Sequence, residues 1–199
     1  MKAFEKLPDG YREIYTVNLQ KDKKIALLIN LAAAVIDVLL VVPMLFVVPI
    51  HTLVDFNADV SELSGMLVKL VSVCVLSILY LVLHEAVHGI VMKICGTKKV
   101  KFGFTGLYAF AGSEDYYDKK SYIFIALAPV VLWGVVLAVV NALVPVEWFW
   151  VIYLVQTMNI SGAVGDLFVT WKFSRMPRDI LVHDTGVGMT VYSECEWNK

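Results

Sequence analysis

Long apolar segments separated by short polar ones dominate this chain of 199 residues. Four of them reach the roughly 20 residues that an α-helix needs to cross a bilayer. These segments cover residues 25–48, 66–92, 122–144 and 148–170. Hydrophobic residues make up 59% of the sequence and charged residues 18%, which is more apolar than an ordinary soluble domain. The pattern predicts an all-α polytopic membrane protein with four transmembrane helices, the first of them an uncleaved anchor because it is too long for a signal-peptide core.

The basic residues are distributed unevenly along the chain. Sixteen of the 17 Lys and Arg residues lie before the first span, between the second and third, or after the fourth, whereas the connections 49–65 and 145–147 contain none. Cytoplasmic loops are enriched in Lys and Arg, so both termini and the central loop are predicted to be cytoplasmic. We therefore expect a multi-pass protein of the plasma membrane. Its predicted parts are a cytoplasmic arm (1–24), a membrane domain (25–171) and a cytoplasmic tail (172–199).

Short alternating segments outside the spans predict a small amount of β-structure. In the central loop 96–120, two such runs flank Thr105-Gly106 and predict a cytoplasmic β-hairpin. A loosely ordered amphipathic loop resting on the lipid headgroups is the alternative. Residues 13–19 predict a short strand, and residues 179–193 could add another.

The second span carries the most specific chemical signal, His84-Glu85-Ala-Val-His88. Residues four apart share one face of a helix, so both imidazoles can reach one ion, and Glu85 projects beside it. This HExxH spacing is typical of zinc metallopeptidases, in which two histidines bind zinc and the glutamate takes a proton from water. Ionisable side chains at membrane depth are costly, so their presence here indicates a functional site, with one Zn²⁺ per chain.

A third zinc ligand should lie at the same depth as the two histidines. At 1.5 Å per residue, His84 and His88 lie roughly 7–14 Å from the predicted cytoplasmic boundary and Asp166 of the fourth span about 9 Å. Asp166 also follows a run of small residues, 161–165, that permits close helix approach. Asp37 of the first span is the alternative, but it lies nearer the middle of the membrane. Depth therefore favours Asp166 as the third metal ligand.

These residues resemble the site-2 protease family of intramembrane zinc metalloproteases. In that family an HExxH motif lies on one core helix and an Asp two spans later completes the zinc site, which is the order of His84, Glu85, His88 and Asp166 here. Residues 126–129, Ala-Leu-Ala-Pro, are similar to the start of the family's middle core helix, and the predicted hairpin is similar to its membrane-associated β-structure. The chain as a whole also resembles a compact bacterial group of zincin peptidases.

One part of the chain departs from the site-2 protease pattern. The family's Asp lies in an Asn-x-x-Pro-x-x-Pro-Leu-Asp-Gly type of motif. In this chain Asn159 precedes Asp166 with a spacing one residue shorter, and glycines stand where the family has prolines. If Asn159 faces the metal, it could stabilise a developing oxyanion.

The sequence therefore predicts a membrane-embedded zinc endopeptidase with Glu85 as the general base. The expected partners are the lipid bilayer and a membrane-spanning or membrane-adjacent peptide substrate, with no nucleic acid. The alternative is a metal-binding membrane scaffold or regulator that keeps the site without turnover.

Overall fold

A computed structural model describes residues 2–18, 21–55, 59–106, 108–195 and 197. Within these residues the order of elements is β1 (Ala3–Phe4), β2 (Arg12–Val17), α1 (Lys23–Leu45), α2 (Val60–Ile94), β3 (Lys101–Phe104), β4 (Ala109–Gly112), β5 (Tyr116–Asp118), α3 (Lys119–Leu143), α4 (Phe149–Ser161), α5 (Val164–Ser174), β6 (Leu181–Asp184) and β7 (Met189–Ser193).

The four predicted apolar spans are confirmed as helical. In the described part of the chain, four helical segments are long and apolar enough to cross a membrane: Lys23–Leu45, Val60–Ile94, Lys119–Leu143 and Val146–Ser174. The first has none of its most apolar window buried within the protein, as expected of a helix whose side chains face lipid. These segments are typical of a multi-pass membrane protein.

The fourth span is interrupted, where the sequence predicted one continuous helix. Helix α4 ends at Ser161, the Gly162 amide donates to the Met158 carbonyl at 2.8 Å, and α5 begins at Val164. Gly162 and Gly165 lie three positions apart, and glycine is a poor helix former because its backbone loses the most freedom on folding. The run of small residues therefore does more than permit close packing, because it coincides with the break that makes Asp166 a first-turn residue of α5.

The described residues divide into two compact units. The helical unit comprises Asn30–Val82 and Val130–Val164, and the sheet unit comprises Met1–Ile29, Leu83–Pro129 and Gly165–Lys199.

In the helical unit, Trp150 and Val151 form a small buried cluster with Leu53. The Tyr153 hydroxyl donates to the Leu40 carbonyl of α1 at 2.8 Å. Lys69, the one basic residue inside a predicted span, donates to the Thr52 carbonyl at 2.7 Å, so its ammonium group is satisfied by the connection between α1 and α2.

The sheet unit contains more β-structure than the sequence predicted. Five strands form one antiparallel sheet in the order β1-β5-β6-β7-β2. The predicted strands near residues 13–19 and in the tail are present as β2, β6 and β7, although Leu19 lies outside the described residues. The all-α description with a single hairpin is therefore incomplete. These strands are two to six residues long and come from both ends and the middle of the chain, so no local pattern shows that they pair with one another.

The predicted hairpin of the central loop is confirmed. Strands β3 and β4 pair antiparallel from Lys101↔Gly112 to Phe104↔Ala109, and Gly106 supplies the positive φ (+89°) that the turn requires. Leu107, which the sequence placed in the second strand, lies outside the described residues. The hairpin packs on α2, because a Cβ at Gly89 would overlap the Phe102 ring. The residue after His88 is thus a direct contact of the hairpin.

Candidate metal centre

Helix α2 places the two histidines of the HExxH motif side by side. Their spacing of four residues puts both on one helix face, and their ring centroids are 4.9 Å apart. Both side chains are 10% exposed. The ligand-type atoms of His84, Glu85 and His88 all lie within 4.8 Å of one another. The motif therefore forms a compact donor cluster within the sheet unit.

Asp166 reaches this cluster from the first turn of α5. Its Oδ2 lies 3.4 Å from His84 Nε2, and its Oδ1 lies 3.6 Å from His88 Nε2. The Asp166 side chain is 24% exposed. The structure thus brings together the three residues that the sequence predicted as metal ligands.

The spacing of these atoms fits zinc. Zinc–nitrogen and zinc–oxygen bonds of about 2.0–2.2 Å in a tetrahedral site imply that neighbouring ligand atoms are roughly 3.3–3.5 Å apart. The two distances from Asp166 to the imidazoles, 3.4 and 3.6 Å, are close to that separation. Two imidazoles and one carboxylate are also a common catalytic zinc set, and they leave one coordination position for water or substrate.

The second nitrogen of His88 is held by the backbone of α3. His88 Nδ1 lies 2.9 Å from the Ile125 carbonyl oxygen. A carbonyl only accepts, so Nδ1 carries the proton of the neutral ring and Nε2 keeps its lone pair. This contact is the kind that orients a metal-binding histidine and selects its tautomer.

Glu85 is the third member of this donor cluster. Its side chain is half-buried, and the backbone N–H of Ala111 in β4 lies near its carboxylate. Successive side chains on a helix point about 100° apart, so the Glu85 side chain points in a different direction from those of His84 and Ala86. Glu85 is placed to act on a molecule bound next to the histidines.

The sequence of this chain also matches a known protein family. A sequence model of the family described as "Putative zincin peptidase" matches residues 77–181, which is more than half of the chain. The chain belongs to this family. The region matched by the zincin peptidase family model includes the HExxH motif, α3, Asn159 and Asp166.

A curated relative of this family member comes from Pyrococcus woesei. The "Uncharacterized 24.7 kDa protein in gap 5'region" is 31% identical over 122 residues, which are 59% of this chain and 53% of the relative. The chain thus spans about half the length of that relative. No solved structure matches the chain.

A partly buried polar pair in the sheet unit of this family member was not predicted from the sequence. The Tyr122 hydroxyl donates to Asp184 Oδ2 at 2.6 Å, and the Gly186 amide donates to Asp184 Oδ1 at 2.8 Å. Burial raises the pKa of the Asp184 carboxyl above its usual value, although both hydrogen bonds oppose this shift. The sequence offers no local signal for the pair, because Tyr122 and Asp184 are 62 positions apart.

Two other residues that the sequence singled out lie in the helical unit. Asn159 is fully buried; its amide oxygen accepts from the Tyr80 hydroxyl at 3.0 Å and its amide nitrogen donates to the Val130 carbonyl at 3.1 Å. These contacts satisfy the buried amide, and its role toward an oxyanion stays a prediction. Asp37 is half-buried on α1. Asp166, rather than Asp37, is the carboxylate that contacts both imidazoles.

Proposed function

We propose that this chain is a membrane-embedded, zinc-dependent endopeptidase. The observation that carries the proposal is the position of Asp166, whose two carboxylate oxygens lie 3.4 and 3.6 Å from the Nε2 atoms of the HExxH histidines. Packing alone is a poor explanation of this triad, because buried ionisable groups are expensive unless they are paired or hold a metal. Membership of the zincin peptidase family supports the same reading.

Each residue of the site has a distinct role in the proposed reaction. His84, His88 and Asp166 would hold the ion, and zinc supplies Lewis acidity toward a peptide carbonyl and toward water. Glu85 accepts the proton that water loses on attacking the carbonyl carbon. It then donates this proton to the amide nitrogen of the leaving peptide, so that the C–N bond breaks and Glu85 is regenerated as a carboxylate.

The substrate class follows from the surroundings of the site. The motif lies in the last third of α2, a helix long and apolar enough to cross a membrane. A peptide bond inside an intact helix is shielded by its own hydrogen bonds, so the substrate is a membrane-spanning or membrane-adjacent peptide that is locally unwound. The site-2 protease type of mechanism, with Asn159 as an oxyanion donor, belongs to this proposal and rests on the resemblance of the motifs.

The orientation is also part of the proposal. The clustering of Lys and Arg supports cytoplasmic termini, a cytoplasmic hairpin and a site near the cytoplasmic face of the plasma membrane.

Cys195 in the tail is exposed and Cys95 is buried. A membrane-impermeant maleimide should therefore label Cys195 in inside-out vesicles but not in right-side-out ones, with Cys195→Ser as the control. Labelling of Cys195 in right-side-out vesicles would show that the tail lies on the opposite side of the membrane.

The activity is tested with two matched single-span peptides in vesicles that contain the purified protein. One peptide carries an Asn-Gly pair in its cytoplasmic third, and the other is uniformly Leu and Ala. We expect zinc-dependent cleavage of the Asn-Gly peptide, at least about tenfold faster than the uniform one because glycine loosens the helix. Chelation with 1,10-phenanthroline should stop cleavage and added zinc should restore it. Retained zinc with no cleavage of either peptide would favour the metal-binding scaffold instead.

A further inference from the structure

Helix α3 contains a proline where an α-helix tolerates it poorly. Pro129 is the eleventh residue of Lys119–Leu143, well past the first turn in which proline is harmless. A proline ring has no N–H, so the carbonyl four residues earlier loses its helical donor. For Pro129 that carbonyl belongs to Ile125, and both residues are buried.

A buried carbonyl without its helical partner needs another donor. The donor here is the His88 Nδ1–H, 2.9 Å from the Ile125 oxygen. The His88 Nδ1–H therefore gives the Ile125 carbonyl the hydrogen bond that Pro129 cannot give. The other ring nitrogen of His88 lies 3.6 Å from Asp166 Oδ1, on the side where the ion would be bound.

We propose that Pro129 is a positioning residue of the metal centre. Because Pro129 has no backbone N–H, the Ile125 carbonyl stays available to accept a hydrogen bond from His88. This hydrogen bond holds the His88 ring with Nδ1 protonated and Nε2 directed at the metal. An alanine at position 129 would bring an N–H that bonds the same carbonyl along the helix and competes with His88. This inference rests on the proposed function only for the identity of the ion; the link from Pro129 through Ile125 to His88 is a property of the protein itself.

The chain offers a matched control. Pro43 lies inside α1 and removes the same helical bond, there from the Leu39 carbonyl. Pro43 belongs to the helical unit, whereas Pro129, Ile125 and His88 all belong to the sheet unit. Replacing Pro43 by Ala therefore reproduces the change in helix chemistry without the change at His88.

The experiment compares Pro129→Ala and Pro43→Ala with wild type in two readouts. The first is the Zn²⁺ dissociation constant of the full chain in detergent, measured by competition with a chromophoric chelator. Outer contacts of metal-binding histidines typically account for 10- to 100-fold in affinity, so we expect Pro129→Ala to bind zinc about 10-fold more weakly or worse. Pro43→Ala should match wild type. The thermal unfolding midpoint of Pro129→Ala should not fall, since alanine favours the helix.

The second readout is the ¹⁵N spectrum of the His88 ring in the metal-free protein, recorded at alkaline pH so that the ring is neutral beside the Asp166 carboxylate. Wild type and Pro43→Ala should show a protonated Nδ1 and an unprotonated Nε2, and Pro129→Ala should show a mixture of tautomers. Incorporating lactic acid at position 129, which has an ester oxygen in place of the N–H, should restore the wild-type spectrum and affinity.

The two readouts separate the two proposals. An unchanged His88 spectrum and an unchanged zinc affinity in Pro129→Ala would overturn the role of Pro129 and leave the peptidase proposal standing. A changed spectrum in a protein that binds no zinc in any form would support the role of Pro129 and overturn the peptidase proposal.

Discussion

Replacing Glu85 by Gln should abolish peptide cleavage while zinc stays bound. Gln has nearly the shape of Glu but cannot accept the proton of the attacking water, and a positioned general base is typically worth ~10²–10⁴-fold in rate. We expect the turnover number on the Asn-Gly peptide to fall by about that factor. Zinc content, measured by mass spectrometry on the same preparation, should stay at about one ion per chain, because the proposed ligands are His84, His88 and Asp166.

An exposed carboxylate outside the proposed site is the control for this experiment. Glu114 is exposed on the loop after β4 and pairs with Lys101. Glu114→Gln should therefore leave cleavage unchanged. Full activity of Glu85→Gln would exclude Glu85 as the base, and loss of zinc from this variant would show that Glu85 is a ligand instead.

Removing one proposed ligand should cost the protein its zinc. Structural zinc sites with four protein ligands bind with roughly 10–16 kcal/mol, or about 2.5–4 kcal/mol per ligand, so the loss of one ligand should weaken affinity by ~10²–10³-fold. We expect His84→Ala, His88→Ala and Asp166→Ala each to contain little zinc after purification without chelators. The measurement is metal content by mass spectrometry, followed by competition with a chelator of known affinity.

The same measurement decides between the two carboxylates that the sequence proposed. Asp37→Ala should keep its zinc, because Asp166 is the carboxylate placed against both imidazoles. His51→Ala, in an exposed turn of the helical unit, is a matched histidine control. Zinc lost with Asp37 but kept without Asp166 would reverse the assignment, and a wild type without zinc would contradict the metal site altogether.

Local patterns were sufficient for much of the architecture. Apolar runs long enough for a bilayer predicted the four spans, since hydropathy and length do not depend on what a segment packs against. Alternation around Thr105-Gly106 predicted the β3–β4 hairpin, because its two strands are neighbours in sequence. The four-residue spacing of His84 and His88 predicted a shared helix face for the same reason.

Long-range pairing was beyond the reach of these patterns. Arg12 pairs with Ser193, and Ala3 pairs with Tyr117, so the five-stranded sheet joins segments far apart in the chain. Strand propensity depends on such partners, which is why the isolated strands were predicted but their assembly was not. The break at Gly162 had a local signal in its small residues, but small residues are equally compatible with close helix packing.

The sequence by itself determined the kind of donors and their spacing on α2, because these follow from residue type and helix geometry. Tertiary structure alone decided that Asp166 contacts both imidazoles, because the long segment of chain between His88 and Asp166 must fold to bring them together. It also decided that a carbonyl released by Pro129 meets the Nδ1 of His88. Both contacts join separate helices at distances of a few ångströms, and only the packing of those helices sets such distances.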